Sequence, residues 1–302
     1  MATRILVPLD GSELAEQAIP CATMLAGGLP AELVLFRAVA IEPDAQDALG
    51  KAGMKAETVL VRLATEAEDY LRSQVLELRA MGLSAQYGFR EGPAAESILD
   101  YATGAGIDYI VMATHGYSGF KRWTHGSVAE RVLQAAQVPL LLVRPGARRA
   151  EVSREAALCR RILVPLDGSR LAERILPVVS SVARALDSEL ILFQVPIAYI
   201  SSSMTGDWYL PVQGALETAE QDAQAYLDEV AGRLAAEGLA ATTALSVGSV
   251  AACIVEYAEA HQVDLIAMCT HGRTGLARWA LGSVTDRVLR AGTKPLLLVR
   301  AN

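Results

Sequence analysis

Short apolar runs alternate along this chain with longer segments in which apolar residues recur at helical spacing. The first run, residues 5–9, is rich in branched side chains and ends at Asp10-Gly11, a pattern typical of a strand buried in a parallel sheet. Ser12 is well placed to cap a helix that follows. That helix would carry on one face Leu14, Ala15, Ala18, Ile19, Ala22 and Leu25.

The same alternation continues to about residue 145. It predicts further strands at 33–39, 84–89, 108–113 and 139–143. It predicts helices at 57–80, from Pro93 to 103, and at 127–136. The resulting order, βαβαβαβαβ, predicts an α/β fold of the doubly wound, Rossmann-like kind, with a parallel sheet and helices on both faces.

The second half of the chain repeats the first. Residues 4–12 recur letter for letter at 161–169, and residues 113–144 match residues 269–300 at 19 of 32 positions. The sequence therefore predicts two tandem domains, 1–145 and 161–302. The polar linker between them, 146–160, is either a flexible connector or a short surface helix.

Composition narrows the class of protein. A net charge of −7 argues against broad electrostatic binding of nucleic acid, and no run of about 20 uncharged apolar residues suggests a membrane span. The four cysteines form no CxxC pair, so neither a zinc site nor a disulfide framework is expected. The first residues lack the pattern of a signal peptide. We therefore expect a cytoplasmic protein.

Two features of each copy point to a ligand site. In a doubly wound sheet, ligands bind outside the carboxyl ends of the strands, where the winding reverses. Asp10 and Asp167 follow the first strands, and a glycine-rich loop follows each fourth strand. Such loops let backbone N–H groups approach an anion, and the helix start after them favours phosphate. The candidate loop residues are Gly116, Gly119, Gly126 and Ser127, with Gly272, Gly275, Gly282 and Ser283 in the second copy.

The two carboxylates have several candidate roles. They can accept a hydrogen bond from a ribose hydroxyl or a base amine, or help to hold a cation bound to phosphates. Plainer interpretations also stay open, because glycine after a strand is common in turns and Gly-Ser before a helix is a common cap.

The histidines and cysteine near the loops have similar alternatives. His115 and His271 occupy equivalent places and are either general acid/base groups or histidines that hold the loop by a hydrogen bond. Cys269 stands where the first copy has Ala113, which favours a small packing residue over a nucleophile.

Three motifs of other nucleotide-binding and hydrolytic proteins are absent. The chain contains no GxxxxGK[ST] loop, no strand-linked GxGxxG with an acid about 20 residues further on, and no GxSxG elbow. The ordinary P-loop, dinucleotide-binding and nucleophile-elbow interpretations are therefore excluded.

Several segments together resemble the universal stress protein family. They are Ile-Leu-Val-Pro-Leu-Asp-Gly-Ser at 5–12, Met-Ala-Thr-His-Gly-Tyr-Ser-Gly at 112–119, Gly-Ser-Val-Ala-Glu-Arg-Val-Leu at 126–133 and Val-Pro-Leu-Leu-Leu-Val at 138–143, and the second copy has counterparts of them. The resemblance covers nearly the whole chain as a tandem pair. It implies a five-stranded parallel sheet of order 3-2-1-4-5 in each domain.

In one branch of the family the resemblance also implies ATP binding, through a Gly-x2-Gly-x9-Gly-Ser/Thr motif. Gly116 and Gly126 match its second and third glycines, as do Gly272 and Gly282 in the second copy. Ala113 and Cys269 replace the first glycine, which lies near the ribose. The resemblance further implies that the main chain around Ala38 and Val195 contacts adenine.

The expected function is that of a stress-response regulator that binds ATP with Mg²⁺ and does not turn it over. The rival hypotheses are a slow ATPase or phosphoryl-transfer enzyme and a ligand-free dimerising scaffold. A protein partner is expected but not named by the sequence. The first copy is expected to bind ATP more tightly, because alanine is a smaller change from glycine than cysteine. The alternative is that Arg273, which stands where the first copy has Tyr117, reaches phosphate and recovers the loss in the second copy.

The apolar fifth strands, 140–143 and 296–299, suggest how the two copies associate. Under the 3-2-1-4-5 order these strands lie at sheet edges, which are aggregation hazards unless paired or covered. We expect an intramolecular pseudo-dimer about a two-fold axis, with a homodimer as a further option.

Overall fold

The structure is a computed structural model, and it describes residues 2–41, 54–114, 127–144, 159–196, 213–271 and 281–300. The chain divides into two compact units, Met1–Leu158 and Cys159–Asn302. The predicted linker at 146–160 lies outside the described residues, apart from Cys159 and Arg160.

The first unit is a five-stranded parallel sheet with its helices in the crossovers. Its elements are β1 (Thr3–Pro8), α1 (Glu13–Glu16), α2 (Ala18–Gly28), β2 (Ala31–Val39), α3 (Ala56–Ala80), β3 (Ser84–Glu91), α4 (Ala94–Gly104), β4 (Tyr109–Ala113), α5 (Ser127–Ala135) and β5 (Leu140–Val143). The strands pair in the order β3-β2-β1-β4-β5.

The second unit repeats this arrangement. Its elements are β6 (Arg161–Pro165), a 3₁₀ turn (Ala172–Ile175), α6 (Leu176–Leu186), β7 (Glu189–Gln194), α7 (Gln213–Ala236), β8 (Ala241–Leu245), α8 (Val250–Ala260), β9 (Leu265–Cys269), α9 (Ser283–Ala291) and β10 (Leu296–Val299). Within this unit the order is β8-β7-β6-β9-β10. Both sheets therefore confirm the predicted order 3-2-1-4-5.

The central strands form the core of each unit. Ile5, Leu6 and Val7 of β1 are fully buried, as a strand covered by helices on both faces of the sheet requires. Phe36 on β2 contacts the ring of Tyr101, with centroids 4.7 Å apart, and Phe193 on β7 contacts Tyr257 in the same way at 4.9 Å. The apolar runs seen in the sequence thus became the buried strands of both units.

The helix predicted after the first strand is divided in two, contrary to the single helix expected. The break lies at Gln17, between α1 and α2. It places Pro20 in the first turn of α2, where a missing backbone N–H costs little, whereas one continuous helix would place Pro20 in its interior. Pro177 has the same effect in the second unit, where the 3₁₀ turn precedes α6 and the proline lies in its first turn.

None of the helices in the described part of the chain is both long and apolar enough to cross a membrane.

Candidate functional sites at the carboxyl ends of the strands

Each sheet has a switch point beside its first strand. β1 pairs with β2 on one side and with β4 on the other, so the winding reverses between β1 and β4. In the second unit β6 lies between β7 and β9. The carboxyl ends of these strands therefore open onto the crevice in which doubly wound proteins bind ligands.

A tight acidic turn follows β1. The Ser12 backbone N–H and the Ser12 hydroxyl both donate to Asp10 Oδ1, at 2.9 and 2.6 Å. Ser12 Oγ in turn accepts from the backbone N–H of Ala15 at 3.1 Å, which confirms the predicted cap. Gly11, between Asp10 and Ser12, has φ +85°, a backbone conformation that residues other than glycine rarely adopt. The turn thus fixes the Asp10 carboxylate at the switch point.

The second unit builds the same turn after β6. The Ser169 backbone N–H donates to Asp167 Oδ1 at 2.9 Å, and Ser169 Oγ accepts from Ala172 at 3.1 Å. Gly168 has φ +79°. The two repeated Asp-Gly-Ser segments therefore place their carboxylates in matching positions.

The glycine-rich loops are described only at their ends. His115, Gly116, Gly119, Gly126, Gly272 and Gly275 lie outside the described residues. The remaining candidate loop residues are Ala113 and Ser127 in the first unit, and Cys269, His271, Gly282 and Ser283 in the second. Ser127 and Ser283 are the first residues of α5 and α9, and both are exposed. The starts of these helices carry N–H groups without partners inside the helix.

Gly282 holds the start of α9 against the end of β9. Its backbone N–H donates to the Thr270 carbonyl at 3.0 Å. A Cβ atom at this position would lie only 2.6 Å from the same carbonyl oxygen, which is closer than non-bonded atoms can approach. A glycine is therefore required by the close approach of two backbone segments, and it brings the helix start to the switch point.

A buried hydroxyl adds a second tie between α9 and β9. Thr285 is 2% exposed, and its Oγ1 lies 3.2 Å from both the Cys269 and Thr270 carbonyl oxygens. The first unit has Ala129 at this position and no hydroxyl to form such a tie. His271 Nδ1 lies 3.1 Å from Oγ1 of Thr270, the residue that precedes it.

Cys269 is enclosed by the 3₁₀ turn that follows β6. The residue is 5% exposed, and its Sγ lies 3.5 Å from the Ala172 carbonyl oxygen. Burial raises the pKa of the Cys269 thiol to about 12, and the nearby Asp167 carboxylate adds to the rise. A thiol with so high a pKa is a poor nucleophile at neutral pH. Ala113, its counterpart, is also buried at 7%.

The main chain around Ala38 and Val195, which the family resemblance implies as the adenine contact, lies beside the acidic turns. The Leu9 backbone N–H donates to the Phe36 carbonyl, and Leu166 donates to Phe193, each at 2.8 Å. Ala38 and Val195 follow those two phenylalanines by two residues, near the carboxyl ends of β2 and β7. Ala38 is half-buried and Val195 is buried.

A polar cluster beside the first acidic turn was missed by sequence reasoning. The Tyr70 hydroxyl donates to Glu16 Oε1 at 2.9 Å, and the Arg37 guanidinium carbon lies 5.6 Å from the centroid of the Tyr70 ring. A Cβ atom on Gly11 would lie 3.1 Å from Arg37 Nη1, so this guanidinium covers the turn that holds Asp10. Burial and then the Glu16 carboxylate raise the pKa of Tyr70, which keeps the phenol neutral.

The second unit keeps two members of this cluster and changes the third. Tyr226 and Glu173 repeat the pair, with the hydroxyl donating to Glu173 Oε1 at 3.1 Å. Gln194 replaces Arg37, and Arg233 on α7 binds Glu173 Oε2 at 2.6 Å. The repeat of tyrosine and glutamate at matching positions was the signal in the sequence that could have revealed this cluster.

Each unit is thus a doubly wound α/β domain with polar groups gathered at its switch point. Residues 1–144 and 159–300 each match the sequence model of the universal stress protein family. The chain belongs to this family, with two copies of its domain in tandem.

Comparisons with individual proteins agree with that assignment. Universal stress protein MJ0531 of Methanocaldococcus jannaschii is 31% identical over 145 residues, which are 47% of this chain and 83% of that protein. Universal stress protein Slr1230 of Synechocystis is 23% identical over 316 residues, which cover 98% of this chain and 99% of that protein. The fold is similar to the crystal structure of a universal stress protein from Archaeoglobus fulgidus, with TM-score 0.68, 21% identity and coverage of 99% and 96%.

Proposed function

We propose that this protein binds ATP at the switch point of each unit, as a regulatory ligand that is not turned over. The observation that carries the proposal is the meeting of two features at one place. A fixed carboxylate, Asp10 or Asp167, ends the first strand, and the neighbouring fourth strand leads through a glycine-rich segment into a helix start.

The phosphates are assigned to the helix starts. In the second unit Gly282 keeps the start of α9 against β9, and the N–H groups of the first turn of α9 are the proposed donors to the anion. Ser283 adds a hydroxyl donor, as Ser127 does at the start of α5. Loop residues 115–126 and 272–280 are included in this part of the proposed site because their sequence resembles the ATP-binding motif of the family.

The ribose is assigned to the acidic turns. One oxygen of each carboxylate, Oδ1, is held by the following serine, so the position of the whole group is fixed before ligand arrives. A fixed carboxylate is a suitable acceptor for a ribose hydroxyl because binding does not have to order it first. The adenine base would then lie against the main chain at Ala38 or Val195.

The Mg²⁺ ion is assigned to the nucleotide. In this proposal the ion is carried by the ATP phosphates, and the protein contributes at most the aspartate of the acidic turn. Within the described ranges, no group of three or more histidine, cysteine, aspartate or glutamate side chains is placed to hold a metal ion.

The regulatory effect is assigned to the loops around each site. ATP would set the conformation of segments 116–127 and 272–283, and a protein partner would recognise the surface that results. The pairing of the two units, a homodimer and the existence of a protein partner stay predictions from the sequence.

Thermal unfolding in the presence of nucleotide tests the proposal. A ligand that binds only the folded state stabilises it by about 2.7 kcal/mol at a hundredfold excess over the dissociation constant. We expect ATP with Mg²⁺ to raise Tm, and Asp10→Ala with Asp167→Ala to reduce that rise. An unchanged Tm at millimolar ATP would contradict nucleotide binding, and steady ADP production lost in the double variant would favour the enzyme hypothesis instead.

A further inference from the structure

Gln194 is an unusual residue in the second unit. It is the last residue of β7 and is 8% exposed. Its side-chain oxygen Oε1 is fully buried and has no hydrogen-bond partner. Within the described part of the chain, no other buried side-chain nitrogen or oxygen lacks a partner. A buried acceptor without a donor destabilises a folded protein, so each such atom calls for an explanation.

The position of Gln194 places it at the proposed nucleotide site. It directly precedes Val195, whose main chain is assigned to the base, and it follows Phe193, whose carbonyl accepts from Leu166 beside Asp167. Its counterpart in the first unit, Arg37, lies against Gly11 of the acidic turn. In the first unit, the side chain at this register position therefore lies next to the turn that holds the carboxylate.

The two side chains at this position differ in that only glutamine carries a hydrogen-bond acceptor. A guanidinium has only donors, whereas a carboxamide oxygen accepts. Arg37 also has a partner, because it stacks on Tyr70. In the second unit the neighbouring tyrosine, Tyr226, donates its hydroxyl to Glu173, which also binds Arg233, so that hydroxyl is already in use.

We infer that the Gln194 side chain turns towards the nucleoside bound in the second unit, and that Oε1 then accepts a hydrogen bond from the exocyclic amine of the base. The inference rests on the proposed function and deepens it. The second site would select bases that carry an amine beside the β7 end, while the first site, with Arg37, would lack this contact. The two units would then differ in base selectivity and not only in affinity.

The first test is calorimetric titration of the full-length chain with ATP. Gln194→Met keeps the size of the side chain but removes the acceptor. We expect the affinity of one of the two sites to fall about tenfold, the usual effect of losing one hydrogen bond in a binding site, and the other site to stay unchanged. Gln224→Met is the matched control, since Gln224 already donates to Asp228 and Thr243 away from the strand ends, and it should leave both affinities unchanged.

Two analogues identify the donor. Purine riboside triphosphate is ATP without the 6-amino group, and 2′,3′-dideoxy-ATP lacks both ribose hydroxyls. If the base amine is the donor, Gln194→Met should weaken binding of the dideoxy compound but not of the purine riboside compound. The reverse result would overturn the assignment to the base and place the contact at the ribose.

The second test needs no ligand. Because an unpaired buried acceptor is unfavourable, Gln194→Met should keep or raise the Tm of the ligand-free protein while it weakens ATP binding. A lower Tm with unchanged ATP affinity would show that Gln194 is structural and would overturn the inference. Failure of the wild-type chain to bind ATP at all would instead reject the proposed function, so the two failures are distinguishable.

Discussion

The two units build the same tyrosine–glutamate pair but take the neighbouring arginine from different elements. In the first unit Arg37 comes from the end of β2 and lies over both Tyr70 and the acidic turn. In the second unit Arg233 comes from α7 and binds Glu173, and the strand end carries the neutral Gln194. The residue of α3 that corresponds to Arg233 is Glu77. The positive charge near the tyrosine–glutamate pair therefore lies on the strand end in the first unit and on the helix in the second.

This difference shows which part of the site is fixed by the fold. The Asp-Gly-Ser turn and the tyrosine–glutamate pair are the same in both units, so these contacts go with the backbone arrangement that the two units share. The cation next to them is the part that varies, and it varies at the proposed base end of the crevice. We therefore expect the two sites to share phosphate and ribose contacts and to differ where the base lies.

The largest expected effect concerns the phosphate end. Gly282→Ala places a Cβ atom 2.6 Å from the Thr270 carbonyl oxygen, so the start of α9 must move. We expect a loss of about 1–3 kcal/mol of stability, as for overpacking elsewhere, and ATP binding at least about tenfold weaker in the second unit alone. Differential scanning calorimetry and titration measure the two effects.

A glycine in open space is the matched control for that variant. A Cβ atom added to Gly232 on α7 would meet no other atom within 4 Å, so Gly232→Ala should add about 0.5–1 kcal/mol of stability and leave binding unchanged. Unchanged stability and binding in Gly282→Ala would show that the close approach of α9 to β9 is not needed.

Thr285 offers a way to make the second unit resemble the first. Thr285→Ala copies Ala129 and removes a hydroxyl that lies 3.2 Å from two carbonyl oxygens. We expect a loss of about 1 kcal/mol of stability, measured by urea denaturation. Thr285→Ser, which keeps the hydroxyl, should recover part of that loss, and equal losses in both variants would assign the effect to the methyl group.

The arginine position can be exchanged directly. Arg37→Gln gives the first unit the side chain of the second and removes the contact with the Tyr70 ring, which is worth about 0.5–1 kcal/mol. Urea denaturation should show that loss. Arg37→Lys is the control, since it keeps the charge but not the planar group, and a full loss with lysine would point to stacking rather than charge.

The sequence predicted the fold well because both copies carry continuous apolar runs for the strands. The third strand, predicted at 84–89, extends to Glu91, and the helix predicted to start at 57 begins at Ala56. The break at Gln17 was not predicted, although Pro20 gave a reason for it. Local patterns thus located the elements, and a local rule on proline explains the main error.

The polar contacts of the site were less predictable. The position of Asp10 and Asp167 at the switch points was predictable because the carboxyl ends of parallel strands meet at one edge of the sheet. The contacts of Arg37 with Tyr70 and Gly11 join residues far apart in the sequence and depend on the side-chain direction, which no local pattern gives. The missing partner of Gln194 Oε1 is likewise a property of packing, not of spacing.

The smallest expected effect concerns Cys269. The sequence suggested that its sulfur would crowd the ribose and weaken the second site, but Sγ lies against the Ala172 carbonyl oxygen and the residue is 5% exposed. Cys269→Ala gives the second unit the residue of the first. Because the sulfur is enclosed by the 3₁₀ turn, we expect ATP affinity to change by less than about twofold in titration.

The raised pKa leaves little thiolate at pH 8, so iodoacetamide should label Cys269 slowly in the native protein and rapidly after unfolding. Tighter ATP binding in Cys269→Ala, or rapid labelling of the native thiol, would show that the sulfur reaches the ligand site and that this residue also distinguishes the two units.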